Sequence, residues 1–343
     1  PFAIGLAFAI PLDLLFSCWF FFLFWKAEQV VGSMAGINQP GYPFAAQQIL
    51  GGYLGIAIVA LWLARKPIWQ LIKKVVRARS DEDDSREPMK YRTAVLGIIL
   101  GISFLVFFSY QAGMTIRFAL AFFGVYFAIA FAHTRARAEL GPPMHGIHYF
   151  GPFQFFIAAI GSRKLANQTL TAAAPLWTFT KQFRNHPMPY ILESFKLADR
   201  AGMDTRKLGR VIMLSVVVSL ILTSWTFLQF SYKWGGISEG RGIEAYTTIE
   251  RWLVRPIEPD IQSLGAIAVG SLFVFTNTTL RLRFLWWPLH PLAYPIAGYV
   301  DFRHLWFPFF ISWLLKWGIL KHGGIQAYRR TFPFFLGLVL GDF

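Results

Sequence analysis

The 343-residue sequence has few charged residues and almost no cysteine. Charged residues make up 15% of the chain, whereas an average soluble domain has about 25%. Cys18 is the single cysteine, which excludes an intrachain disulfide and a cluster of thiolate metal ligands. Because 55% of the residues are hydrophobic and fall in long blocks, the composition excludes an ordinary soluble protein and predicts that lipid surrounds the chain.

Phosphate-binding loops are also missing from the sequence. The glycines at Gly51 and Gly55, and those at Gly97 and Gly101, are not followed by the Lys-Ser/Thr pair of such a loop. Their spacing is instead typical of helices that approach each other closely in a membrane. The serines also lack a G-x-S-x-G context, and the sequence shows no catalytic triad, so we expect no cofactor and no enzymatic activity.

Six blocks of sequence are long and apolar enough to cross a bilayer, which requires about 20 mainly apolar residues. The first block is interrupted by Pro11 and Asp13. Residues 284–299, 305–320 and a final run from Thr331 raise the expected total to seven to nine membrane segments. The sequence predicts an all-α, polytopic transmembrane helical bundle with further helices outside residues 1–343. The six blocks are residues 2–25, 49–64, 93–110, 116–132, 211–230 and 261–279.

The net charge of +15 comes from 33 Lys and Arg against 18 Asp and Glu. Basic residues cluster between the apolar blocks, and such loops favour the cytoplasm and anionic lipid headgroups. We assign residues 65–92 to a cytoplasmic loop, 133–210 to a cytoplasmic or interfacial segment, and 232–260 to an outside loop of one membrane domain. No recognition fold accompanies the charge, so we expect no binding to nucleic acid.

Several segments have a pattern intermediate between a span and a loop. Residues 284–299 contain three prolines and form either a loop or a broken crossing. The broken crossing is favoured because it places the arginines that follow in the cytoplasm. Residues 150–160 are too short to cross, so they re-enter the membrane or lie in the interface. Residues 170–183 and 190–202 have the pattern of amphipathic helices at the membrane surface.

Asp13 and Lys316 are ionisable residues within apolar segments, where a charge is costly. Asp13 follows Pro11, which removes one backbone hydrogen bond, and a carboxylate beside a broken helix is a candidate proton or cation site. The alternative is a shallow Asp13 that pairs with a neighbouring helix. Lys316 is a further coupling candidate, or it extends its ammonium to the headgroups.

A second candidate site lies at Arg135, Arg137 and Glu139, immediately before Gly141 and two prolines. We interpret the three charged residues as sharing one face of a helix that ends at the glycine. This face could bind an anionic group or gate transport, and the alternative is a structural ion pair between Glu139 and an arginine.

His145 and His148 form a pair with the spacing of a helical metal site. The neighbouring glycine and prolines argue against a regular helix there, and Glu139 is the only nearby carboxylate. We predict no metal and keep both histidines as weak candidates. The same pair is the only support for a membrane-embedded transferase.

Two motifs resemble the oligopeptide transporter (OPT) superfamily. The first is Arg-x-Arg-x-Glu-x-Gly-x-Pro from Arg135 to Pro143, and the second is a Gly-rich final segment from Trp306 to Gly341. Together they resemble a large uncharacterised bacterial membrane-protein family that is distantly similar to OPT proteins. The resemblance implies cation- or proton-coupled secondary transport of a peptide or metal chelate across the bacterial inner membrane, by a protein longer than this sequence.

The aromatic content of 18% supports a second interpretation. Bulky aromatic side chains suit packing against other helices at bilayer depth. The chain could therefore be a structural or accessory subunit of a larger bacterial membrane complex without transport activity, because a fold does not determine a function. In either case we expect membrane lipids and other membrane-protein chains, or further copies of this one, as partners.

Overall fold

The computed structural model describes residues 1–77, 87–141, 150–180, 183, 186–234 and 240–341. Within these ranges the chain forms helices and connecting segments without a β-strand, which confirms the predicted all-α class. A short 3₁₀ helix, Val300–His304, precedes the last α-helix. The α-helices are α1 (Phe2–Phe8), α2 (Leu12–Met34), α3 (Ala45–Arg77), α4 (Tyr91–Gln111), α5 (Ile116–Leu140), α6 (Pro152–Ile160), α7 (Asn167–Thr180), α8 (Pro187–Arg200), α9 (Thr205–Lys233), α10 (Gly240–Val254), α11 (Ile261–Arg283), α12 (Ala293–Ala297) and α13 (Trp306–Leu340).

Among the described residues, six helices are long and apolar enough to cross a membrane, namely α2, α3, α4, α5, α9 and α11. Each overlaps one of the six apolar blocks of the sequence, although α2 covers only the second half of the block at residues 2–25. A chain with six such helices has the fold of a multi-pass integral membrane protein. The further segments after residue 283 add shorter, broken or bent helices to this set.

Helix α3 extends well beyond its apolar block. Helix α3 continues from the block that ends at Ala64 to Arg77, so the first part of the predicted 65–92 loop is helical. Lys and Arg favour helix, and their long side chains leave the apolar layer without unwinding the backbone. Because these residues are charged, hydropathy alone predicted that α3 ends at Ala64, before its basic part. The acidic run at residues 81–84 lies outside the described residues.

The first apolar block is broken at Pro11, as predicted. Helix α1 ends at Phe8 and α2 begins at Leu12, while Pro11 itself has the extended values φ −53° and ψ 144°. Proline has no N–H to continue the α1 ladder, and its ring disfavours helix in the residue before it. The break therefore leaves backbone carbonyls at the end of α1 that require other partners.

Helices α3 and α11 form the closest contact of the bundle, through glycine. A Cβ atom at Gly51 would lie 2.0 Å from the carbonyl oxygen of Ile267, and one at Gly270 would lie 2.1 Å from that of Gln48. Ser271 Oγ donates to the Gly51 carbonyl over 2.7 Å. The predicted close packing is thus confirmed at Gly51.

Gly97 and Gly101 behave differently from the glycines of α3. In the part of the chain that the structure describes, no atom outside α4 itself lies within 4 Å of the Cβ position at either residue. The prediction that this pair packs closely against a helix is therefore wrong within the described part of the chain. Spacing alone identified the glycine pattern, but whether a second helix faces it depends on the tertiary arrangement.

Residues 284–299 run along α2. Ser17 of α2 contacts Pro288 and His290, and Trp25, two turns further on, donates from its indole N–H to the Tyr294 carbonyl over 3.2 Å. The path follows α2 for about 12 Å at 1.5 Å per residue. Tyr294 is buried within α12. This course favours the broken crossing over the loop.

Helix α13 is bent at Gly324, which has the non-helical values φ 63° and ψ −165°. Gly324 thus divides α13 into two helices, its two arms, which correspond to the segments predicted at residues 305–320 and from Thr331. Helix α1 contacts both arms, since Ser312 Oγ donates to the Ile4 carbonyl over 2.8 Å and Gly5 abuts the Phe335 carbonyl. Only glycine fits this contact, because a Cβ at Gly5 would lie 2.4 Å from that oxygen.

The region predicted as cytoplasmic or interfacial forms three short helices, α6, α7 and α8. Helix α6, with nine residues, is too short to cross a membrane and packs against α5, α7 and α11. Helices α7 and α8 occupy the two stretches predicted to be amphipathic helices, with boundaries shifted by a few residues. The outside loop predicted at residues 232–260 contains α10, which packs against α7.

Helices α4 and α9 are almost uncovered by the rest of the described chain. Only 6% of the most apolar window of α4, and 0% of that of α9, is buried. Such exposed apolar surfaces would aggregate in water, and they agree with helices that cross a membrane.

We expect Gly51→Ala to loosen the α3–α11 contact. The added methyl group would force the Ile267 backbone away, and such overpacking costs about 1–3 kcal/mol. Thermal unfolding of the purified protein in detergent measures the effect. Gly97→Ala is the matched control, because its methyl group meets nothing and a helical Gly→Ala change gains up to about 1 kcal/mol. Equal melting temperatures for the two variants would contradict the assigned contact.

Candidate functional site

Asp13 forms an ion pair with Arg281, 268 residues further along the chain. Asp13 lies in the first turn of α2 and Arg281 in the last turn of α11. A carboxylate at a helix N-terminus and a cation at a C-terminus both complement the helix dipole. The side chains of Asp13 and Arg281 are 37% and 35% exposed, so the protein encloses the pair only in part. Asp13 thus pairs with a neighbouring helix, and its role as a proton or cation site stays a prediction.

Ser17 holds His290 beside this pair. Its hydroxyl lies 2.6 Å from the Asp13 carbonyl oxygen and 3.1 Å from that of Pro288, and it accepts the His290 backbone N–H over 2.8 Å. Ser17 is fully buried. One hydroxyl thus fixes the broken segment 284–299 to the first turns of α2.

The imidazole of His290 connects the Asp13 region to α5. Its Nδ1 accepts the Leu292 N–H over 3.3 Å, so a neutral ring carries its proton on Nε2. Nε2 lies 3.9 Å from Glu139 Oε2. On the far side of that carboxylate, Arg135 Nε donates to Glu139 Oε1 over 2.7 Å.

These five side chains come from three helices, α2, α5 and α11, and from the segment 284–299. We call Asp13, Arg281, His290, Glu139 and Arg135 the charge cluster. Two carboxylates face two guanidinium groups, so the charge cluster is balanced when His290 is neutral. Each charge in it has a partner of opposite sign, which offsets the cost of keeping the charges near the apolar layer.

Two surface clefts each include one residue of the charge cluster. One, of about 460 Å³, includes Asp13, and the other, of about 500 Å³, includes Arg135. Apolar residues line most of both clefts. The cleft at Asp13 is lined by Leu12, Asp13, Phe16, Pro288 and Trp313, and the cleft at Arg135 by Ala60, Leu63, Ala64, Phe131, Thr134, Arg135 and Leu192.

Arg137 does not share a face with Arg135 and Glu139, so that part of the prediction is wrong. Residues two positions apart on a helix point to different sides, whereas those four apart are neighbours. Arg137 instead forms an ion pair with Glu193 of α8 and lies over the Tyr190 ring, 5.8 Å from its centroid. It joins α8 to α5.

Lys316 does not extend to the headgroups. The residue is only 7% exposed, and its ammonium donates to the carbonyls of Phe8 over 2.9 Å and Ile10 over 2.7 Å. These are the carbonyls at the break before Pro11. The headgroup interpretation is wrong because α13 packs against the broken helix and the buried carbonyls are closer partners than lipid.

The weak metal candidates His145 and His148 lie outside the described residues. In the ranges that the structure does describe, no group of three or more His, Cys, Asp or Glu could hold a metal ion. The prediction of no metal and no cofactor stays a prediction.

Sequence reasoning missed three residues of the site: Ser17, Arg281 and His290. Arg281 had served only as a marker of the cytoplasmic side, and His290 lay in the segment of uncertain course. A basic residue one turn from the end of a span and a histidine between prolines were the available signals. Neither signal identifies Asp13 or Glu139 as the partner, because these contacts join residues more than 140 positions apart in the sequence.

The sequence profile of a family of unknown function, DUF6785, matches the chain over residues 1–343. No curated protein and no solved structure matches it. The resemblance to an uncharacterised family is thereby confirmed, while the kinship with OPT transporters stays a prediction.

We expect Asp13→Asn and Arg281→Gln each to destabilise the protein by about 1–2 kcal/mol. Each variant removes one member of the ion pair and leaves the other, half-buried charge without its partner. The double variant should lose less than the sum, and thermal unfolding in detergent measures this coupling. Glu258→Gln is the control, because its pair with Arg163 is 63% and 72% exposed and contributes little. Strict additivity at Asp13 and Arg281 would contradict a direct pair.

Proposed function

The chain belongs to the DUF6785 family, and we propose that it is a secondary transporter of the bacterial inner membrane, driven by protons or another cation. One observation carries the proposal: the charge cluster contributes Asp13 to a cleft beside the broken helix at Pro11 and Arg135 to a second cleft between α3, α5 and α8. Broken helices and paired intramembrane charges are typical of sites where transporters bind substrate and coupling ions.

The ion pair of Asp13 and Arg281 is the proposed coupling element. A proton on the Asp13 carboxylate would remove its charge and release the Arg281 guanidinium. The freed guanidinium could then bind an anionic group in the cleft that includes Asp13, since Arg suits bidentate contacts to carboxylates. Proton binding and substrate binding would thus favour the same state, which is the condition for coupling them.

Glu139 and Arg135 form the corresponding pair at the other cleft. His290 lies between the two pairs, 3.9 Å from Glu139 and anchored through Ser17 to α2. A change at Asp13 would therefore reach Glu139 through one imidazole and one short segment. We assign Glu139 and Arg135 the gating role, and Arg137 the role of holding α8.

The OPT resemblance supports a peptide or a metal chelate as substrate. Both classes carry carboxylates or other oxygen anions that Arg281 or Arg135 could bind once released. No chemical change of the substrate is part of the proposal. The competing enzymatic reading depended on His145 and His148, which lie outside the described residues.

The proposal predicts uptake of radiolabelled di- and tripeptides or an iron chelate into proteoliposomes when an inward pH gradient is imposed. Asp13→Asn should reduce gradient-driven uptake to background, because the coupling carboxylate is lost. Glu258→Gln, far from the clefts, should leave uptake unchanged. Absence of uptake of every probe under pH, sodium and potassium gradients would overturn the proposal.

One observation favours the accessory-subunit alternative. Helix α9 has no buried part in its most apolar window, and α4 has only 6%, so a partner protein could cover both. Lipid covers them equally well if the chain acts alone. The basic surfaces would bind anionic headgroups in either case.

Purification from native membranes in mild detergent separates the two functions. As a transporter, the chain should elute as a monomer or an oligomer of itself, without other proteins in fixed proportion. Stoichiometric co-purification of other membrane proteins through every step, together with absent uptake, would favour the accessory subunit. Size-exclusion chromatography with mass spectrometry of the peak measures the composition.

A further inference from the structure

The ammonium of Lys316 occupies an enclosed cage at the break between α1 and α2. Its Nζ lies 2.9 Å from the Phe8 carbonyl oxygen and 2.7 Å from that of Ile10. The residue is 93% buried, being 7% exposed. No carboxylate pairs with it among the ion pairs of the described residues, so backbone oxygens are its principal partners.

The helix break makes these oxygens available. In a continuous helix, the Phe8 carbonyl would accept from the N–H of Leu12 and the Ile10 carbonyl from that of Leu14. The extended conformation of Pro11 interrupts this ladder, and the first hydrogen bond of α2 runs from Leu15 to Pro11. Two carbonyls therefore point away from both helices, into a space that α13 closes.

Aromatic rings form the other walls of the cage. Nζ lies 4.8 Å from the ring centroid of Tyr328 and 5.6 Å from that of Phe8. The Phe8 ring stacks on Phe335 at 3.6 Å between centroids, which fixes its position. Carbonyl oxygens with aromatic faces suit a monovalent ammonium ion, whereas a divalent metal ion requires carboxylates or more oxygen ligands.

We propose that the α1–α2 break is a binding site for an ammonium-type monovalent cation, which the protein fills from within using Lys316. Shortening this side chain converts the cage into an exchangeable site for a small alkylammonium ion. The native lysine is a fixed cation at a helix break, a place where free carbonyls otherwise coordinate dissociable ions. If the protein is the transporter proposed above, it therefore needs no sodium ion at this break.

Chemical rescue of Lys316→Ala tests the cage. This change removes Cγ, Cδ, Cε and Nζ, which n-propylammonium replaces atom for atom. Lys316→Ala should lower the melting temperature in detergent by on the order of 5 °C, because two charge-assisted hydrogen bonds are lost. Added n-propylammonium should restore most of that loss, while tetramethylammonium, which has no N–H donor, should not.

Two matched variants show whether the rescue is specific. Lys316→Met fills the cage without donors, so it should be destabilised and should not respond to n-propylammonium. Lys321→Ala removes an exposed ammonium that lies 4.5 Å from the Trp317 ring centroid on the same helix, and it should behave as the wild type does. A wild-type melting temperature for Lys316→Met, or an equal response of Lys321→Ala to n-propylammonium, would overturn the proposal.

Purification with the amine present covers the case in which Lys316→Ala is unstable alone. The variant should then remain folded until n-propylammonium is removed by buffer exchange. Failure to fold even with the amine, while Lys316→Met folds normally, would also overturn the cage.

A test of sodium dependence rests on the proposed function, whereas the chemical rescue of Lys316→Ala does not. Replacing sodium by choline should leave uptake by the wild-type protein unchanged, and sodium-dependent uptake would refute the fixed-cation role. If no transport occurs at all, the proposed function fails, while the melting temperatures still decide whether the cage binds an ammonium ion.

Discussion

The structure depends on how the backbone carbonyls at Pro11 are satisfied. In an apolar layer an unpaired carbonyl has no water to accept from, so a broken helix persists only with partners supplied elsewhere in the fold. The Lys316 ammonium supplies two hydrogen bonds at once, from the middle of α13. This contact joins α1, α2 and α13. It thereby fixes the position of the first turn of α2, which contains Asp13.

The charge cluster follows from that placement. With α2 starting at Leu12, Asp13 lies opposite Arg281 at the end of α11, and Ser17 faces the segment that contains His290. Glu139 comes from α5, which packs against α3, and α3 contacts α11 through the glycine at Gly51. Close helix contact and the helix break thus act together, because either alone would leave the five side chains apart.

The OPT resemblance and the family match support different levels of description. Membership of DUF6785 identifies related sequences without assigning them an activity. The OPT motif at Arg135 to Pro143 directed attention to Glu139, which does belong to the charge cluster, but also to Arg137, which binds α8 instead. The transport proposal therefore derives from the contacts of Asp13, Arg281 and Glu139 more than from the motif.

The sequence by itself determined the all-α class, the six apolar spans and the break at Pro11, because hydropathy and the missing proline N–H are local properties. It also identified Asp13, Glu139 and Lys316 as charges in unfavourable surroundings. Only the tertiary structure decided their partners: Arg281 for Asp13, His290 beside Glu139, and two carbonyls for Lys316. These contacts join elements as far apart as 308 residues, and the side that each helix turns to its neighbours follows from the packing of the whole bundle.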